Sequence, residues 1–130
     1  MKIDELSQFL TQVSLFKGFD INETEAVLKK INYHIRNYKK NETVFFRGDN
    51  IENIIIILEG SAKGEMQKSG GETITIDFIK TYEIIAPAFI FGDTKVFPVD
   101  LISVEKSKYL FLNKKDFVEI MQEDKRILLN

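Results

Sequence analysis

Short strands separated by turn residues, with helical periodicity at both ends, predict a mainly β fold: a sandwich or jelly roll with helical flanks. Three observations carry this. The apolar period changes from three-and-four to alternation after about Asn37. Turn signals punctuate the middle of the chain at Gly48-Asp49-Asn50, Glu59-Gly60 and Lys68-Ser69-Gly70-Gly71. Helical spacing then returns after Asn113.

The elements follow in order. Leu6, Phe9, Leu10 and Val13 share one face of a first helix, which Lys17-Gly18 interrupts. Asn22 followed by Glu25 resembles a capping box, and Val27, Leu28 and Ile31 supply the buried stripe of a second helix. Glu42–Arg47 reads as a strand with Val44 and Phe46 on one face. Ile54–Leu58 is five consecutive aliphatics, mostly β-branched, as expected of a strand buried on both faces. Ser61–Gln67 and Thr73–Ile79 form a hairpin around Lys68–Gly71. In its second strand Ile74, Ile76 and Phe78 point one way, and Thr73, Thr75 and Asp77 the other. Tyr109–Leu112 is a further strand, and Asn113 caps a helix whose face holds Phe117, Ile120 and Met121. Ile127-Leu128-Leu129 starts another apolar stripe, so the expected natural chain continues past Asn130.

The expected organisation is one domain over 1–130: a helical lead-in at 1–37, a roll at 38–112, and helices at 113–130. A chain of 130 residues can bury enough apolar surface to fold without staples. It has no cysteine, which excludes disulfides, thiolate metal sites and cysteine nucleophiles. The N-terminus is acidic within five residues and lacks the apolar core of a signal peptide. The longest apolar runs, Ile54–Leu58 and Ile84–Phe91, are far too short to span a bilayer. A cytoplasmic protein with no membrane partner is expected. The net charge of −2 argues against a surface built to coat nucleic acid. The basic stretch from Lys29 to Arg47 reads as a solvated helix–strand connection, because no aromatic interleaving or recognition-helix signature accompanies it.

Catalysis is poorly supported, and no catalytic residue, metal ligand or cofactor is assigned. His34 is the only histidine, too few for a metal centre, and it reads as a surface residue among lysines and arginines; any Ser-His-acid arrangement would have to use it, and no serine has a nucleophile-elbow context. Gly70-Gly71 lies between strands and is a turn, not a phosphate-binding loop. The informative segment is Ile84–Ser103. Pro87 and Gly92 bracket a one-turn helix whose side chains, Ala88, Phe89, Ile90 and Phe91, are all apolar. Val96-Phe97-Pro98-Val99 follows, with Pro98 at a strand start or edge. Phe89, Phe91 and Phe97 either plug the core or line a ligand pocket.

The stretch Tyr38–Asp49, with its basic stem, Glu42 and Gly48-Asp49 turn, resembles the start of a known pattern. The run Ile54–Gly60, the segment Val104-Glu105-Lys106-Ser107 and Lys114-Lys115-Asp116-Phe117 match its later parts in order and spacing. Together they are similar to the effector-binding domain of Crp/Fnr-type transcription regulators, over nearly the whole chain. The resemblance implies a cupin-like double-stranded β-helix that cradles a small ligand. It also implies a long dimerising helix, and DNA contact only through a C-terminal winged helix-turn-helix missing from this chain. Cyclic-nucleotide binders of the family use a Gly-Glu pair and a later Arg-Ser or Arg-Thr pair. Here Ala86-Pro87 and Phe97-Pro98 stand in those places. A buried phosphate without a guanidinium partner is costly, and Lys95 nearby is a poor substitute. Tight binding of cyclic AMP is therefore not expected. The implied pocket consists of Ala86, Pro87, Ala88, Phe89, Phe91, Phe97, Pro98 and Val99, for an unknown effector that is apolar or aromatic, with a small acid among the candidates. The alternative is a ligand-free dimerisation module whose cavity is filled by its own side chains.

Overall fold

The computed structural model describes residues 1–85 and 95–124. Helix α1 (Ile3–Leu10) is followed by a single 3-10 turn (Ser14–Phe16) and helix α2 (Ile21–Lys30). Among the described residues seven strands follow: β1 (Tyr33–Tyr38), β2 (Thr43–Phe45), β3 (Asn53–Glu59), β4 (Ser61–Gln67), β5 (Thr73–Lys80), β6 (Asp100–Ser103) and β7 (Ser107–Asn113). Helix α3 (Lys114–Glu123) follows β7. All pairing is antiparallel, in a sheet of order β1-β7-β3 and a sheet of order β2-β6-β4-β5. This is the jelly roll with flanking helices that the sequence predicts.

Two apolar clusters hold it together. Ile55 and Ile57 of β3, with Tyr109 and Phe111 of β7, meet Phe45, Leu101, Ala62 and Ile79 of the second sheet inside the roll. The alternate residues Ile54, Ile56, Leu58, Leu110 and Leu112 face outward, where Leu6, Leu10, Val27, Leu28, Phe117 and Ile120 of the helices cover them. The unbroken aliphatic run of β3 is thus explained: both faces of that strand are covered. Residues 82–85 lie along the free side of β3, with the Ile57 N–H donating to the Glu83 carbonyl (3.1 Å) and the Ile85 N–H to the Ile55 carbonyl (2.8 Å). Ile85 is thereby carried into the interior. Strand β5 is the edge of the other sheet. Its Phe78 and Lys80 N–H groups donate to the carboxylates of Asp77 (2.9 Å) and Glu83 (3.1 Å). Carboxylates in that position blunt the edge against pairing with another strand.

Several local expectations are corrected. The capping box of α2 is Asp20 with Glu23, not Asn22 with Glu25. Asp20 Oδ1 accepts from the Glu23 N–H at 2.7 Å and Glu23 Oε1 from the Asp20 N–H at 3.3 Å. Val13 is buried but lies past the end of α1. The helical lead-in stops at Lys30, since β1 already occupies 33–38. Val104–Lys106 is a tight reversal between β6 and β7 rather than part of a strand. Within β2 the core residue is Phe45, and Phe46 is 61% exposed. Thr43 pairs with Ile102 but Phe45 with Leu101, so Val44 is an extra residue and the alternation changes phase there. The same happens in β5. Gly64 pairs with Asp77 but Glu65 with Thr75, which leaves Ile76 as the bulged residue. The capped helix at Asn113, by contrast, is as expected: Asn113 Oδ1 accepts from the Asp116 N–H at 3.0 Å.

Candidate functional site

The interior of the roll contains a cleft of about 290 Å³. Its floor is the inner face of the second sheet: Phe45 from β2, Gly64 and Met66 from β4, Ile79 from β5 and Leu101 from β6. Ile85 closes one side, and Phe97, Pro98 and Val99 another. Ile76 and Asp77 both reach it, although they are consecutive in a strand. The bulge at Ile76 allows this. The lining is overwhelmingly apolar, and among the described lining residues Asp77 carries the one charge.

Phe97 is buried and stacks on Phe45, with ring centroids 3.4 Å apart and planes 13° from parallel. Beyond this stack lies a second space of about 130 Å³, bordered by Asp49, Asn50, Glu52 and Phe111 as well as by both stacked rings. The stack is therefore a wall between an apolar and a more polar compartment. A larger groove, about 540 Å³, runs outside the roll beside Ile51, Lys114, Lys115 and Val118. It is open to solvent, whereas the interior cleft draws its lining from four strands.

Of the residues singled out in the sequence, Phe97, Pro98 and Val99 line the cleft together. Ala86, Pro87, Ala88, Phe89 and Phe91 lie outside the described residues, as does the apolar stripe at 127–129. The floor residues Gly64, Met66 and Ile79 and the charged Asp77 were missed. A glycine inside a strand was a usable signal for Gly64. Asp77 gave none, because the expected alternation placed it opposite Ile76.

His34 is exposed, and its ring stacks on Phe111 at 4.8 Å, with the Arg36 guanidinium 5.6 Å from the same ring. Partial burial, and then the Arg36 charge, push its pKa below the ordinary imidazole value. No group of three or more potential metal ligands occurs among the described residues. Ser103, Ser107 and Tyr109 form a buried polar cluster at the β4 end of the roll. The Tyr109 hydroxyl lies 3.0 Å from both the Ser61 carbonyl and Ser103 Oγ, and burial raises its pKa. Each hydroxyl there has a hydrogen-bond partner, so the cluster reads as structural.

A model of the cyclic nucleotide-binding domain matches residues 35–124. The chain belongs to this family. A transcriptional regulator from Thermotoga maritima is 35% identical to it, with a TM-score of 0.68 over 81% of this chain and 80% of the other. The sensor domain of the transcriptional regulator DNR from Pseudomonas aeruginosa is 18% identical and superposes with a TM-score of 0.86, over 99% of this chain and 85% of that one. The regulatory domain of Toxoplasma gondii PKA, crystallised with cAMP, is likewise 18% identical, with a TM-score of 0.79 over 98% of this chain and 48% of its own. No curated protein sequence matches closely enough to carry an inference. The resemblance to a Crp/Fnr-type effector-binding domain is borne out, and with it the double-stranded β-helix. No described helix is long and apolar enough to cross a membrane.

Proposed function

We propose that this cyclic nucleotide-binding-type domain senses an apolar or aromatic small molecule for a transcription regulator and does not use cyclic AMP. In a Crp/Fnr-type regulator DNA contact is the task of a separate winged helix-turn-helix domain. The observation that carries the reading is the 290 Å³ apolar cleft with Phe97 on its wall. The sequence resemblance puts Phe97-Pro98 where the family's cyclic-nucleotide binders have their Arg-Ser or Arg-Thr pair. The 35% identical relative, a transcriptional regulator, supports the cellular role. Ligand binding would shift populations through β7. This strand contributes Tyr109 and Phe111 to the interior and runs directly into α3.

Two measurements check the reading. Titration calorimetry with cyclic AMP is expected to give no binding at micromolar concentration, because a buried phosphate would lack a cationic partner. Micromolar affinity would overturn that exclusion. Thermal-shift screening of aromatic acids, medium-chain fatty acids, and their alcohols and amines should raise the melting point for at least one class. A ligand at a hundred times its Kd adds about 2.7 kcal/mol. Gly64→Leu should abolish the shift while the protein still folds. A Cβ at Gly64 meets only Val99 Cγ2, at 3.4 Å, and the longer side chain fills the cleft. Equal shifts in both proteins would place the ligand elsewhere. No shift with any compound would favour a ligand-free dimerisation module, a reading to which the Phe45–Phe97 stack lends some support.

A further inference from the structure

The cleft has an electrostatic sign. Its charged lining residue is a carboxylate, Asp77, and no Lys, Arg or His lines it among the described residues. Residues 86–94, which follow Ile85, contain no Lys, Arg or His either. Lys63, on the neighbouring strand, is engaged on the opposite face of the sheet by Glu65, at 2.8 Å. An anionic ligand in this cleft would meet a like charge with no cation to offset it. A cationic one would find its counter-ion already in place.

The sheet presents that carboxylate deliberately. Without the bulge at Ile76, the alternation of β5 would turn Asp77 away from the face that holds Ile74 and Met66. With it, Asp77 sits opposite Gly64, the residue with no side chain to cover it. Asp77 is exposed, and the Phe78 N–H donates to its Oδ1 at 2.9 Å, which holds the carboxylate at the rim of the cleft, beside the free edge of β5. The result is an apolar trough with one acceptor of negative charge at its rim.

We propose that the ligand is an apolar amine, bound with its hydrocarbon body against Ile79, Ile85, Val99 and Leu101 and its ammonium on Asp77. This rests on the sensing reading above and replaces the small acid suggested by the sequence. An alkylammonium is fully protonated at neutral pH, as lysine is. Its attraction to Asp77 and the corresponding repulsion of a carboxylate act in opposite directions on two otherwise matched molecules.

The test uses phenylbutylamine, phenylbutanol and phenylbutyrate, titrated into the chain and followed by amide chemical-shift changes at pH 7. The amine should bind most tightly and the acid least, with about a tenfold or larger gap between them. Asp77→Asn keeps an oxygen acceptor for the Phe78 N–H and removes the charge. In that variant the amine and the acid should bind within about a factor of two of each other. Tighter binding of the acid by the wild-type chain overturns the proposal and leaves the sensing reading intact. A gap that survives in Asp77→Asn also overturns it, since the discrimination would then come from another group. Binding of none of the three overturns the proposal as well, and the reading beneath it then stands or falls with the wider thermal-shift screen.

Discussion

Gly60→Ala is expected to cost about 3 kcal/mol or more and to lower the melting point by about 10 °C. Gly60 joins β3 to β4 with φ +89, a backbone conformation that penalises any Cβ. The space there is closed as well. A Cβ would collide with the Ser107 side chain and come within 2.9 Å of the Lys106 carbonyl oxygen. Ser107 cannot easily yield. Its hydroxyl donates to the Glu105 carbonyl at 2.7 Å, and it accepts from the Ser61 N–H at 3.2 Å. Two other glycines separate the causes. Gly48 has φ +91 but nothing within 4 Å of an added Cβ, so Gly48→Ala should show the backbone penalty alone, about 1–2 kcal/mol. Gly70 also has nothing within 4 Å and no positive φ, so Gly70→Ala should be neutral within about 0.5 kcal/mol. Urea denaturation of the three variants gives the ranking. If Gly60→Ala costs no more than Gly48→Ala, the crowding against Ser107 is not a stability determinant.

The junction at Gly60 also shows what a sequence can and cannot disclose. Glu59-Gly60 was legible as a break, because glycine after an aliphatic run is a local signal. That Ser107 crowds it was not legible, because the contact spans nearly fifty residues of chain. The helices, the β3 run, the β4–β5 hairpin and the Asn113 cap were likewise readable from periodicity and capping chemistry. The site was harder, for a specific physical reason. Its lining depends on the phase of β2 and β5, and a bulge resets each: Val44 in one, Ile76 in the other. A single inserted residue exchanges the faces of everything beyond it. Thus Phe45 rather than Phe46 became the core residue, and Asp77 moved to the cleft. Strand β6 escaped notice because it is four residues long and mixes Asp100 and Ser103 with Leu101 and Ile102. Its inward residues are Leu101, which lines the cleft, and Ser103, which meets Tyr109. Phe97, Pro98 and Val99 were found because they precede β6 as an apolar run around a proline.

Phe97→Ala is the substitution that should change both stability and ligand choice. The ring is 6% exposed and stacked on Phe45, so its removal should cost about 3 kcal/mol, the lower end of the range for a core phenylalanine. The lower end is expected because the ring borders space on two sides and makes fewer contacts than one packed all round. Removing it also removes the wall. The 290 Å³ cleft and the 130 Å³ space beyond it would merge, and Asp49 and Glu52 at the far side would gain access to the ligand. An apolar amine with a second phenyl ring should then bind the variant better than the wild-type chain, while phenylbutylamine gains little. Phe97→Leu keeps a partial wall and should fall between the two in both stability and size tolerance. Urea denaturation reads the first effect, and amide-shift titration with the one-ring and two-ring amines reads the second. If the two-ring amine gains no more than phenylbutylamine in Phe97→Ala, the stack only fills the core. The limit on ligand size would then have to come from Ile85, Val99 and the β5 residues instead.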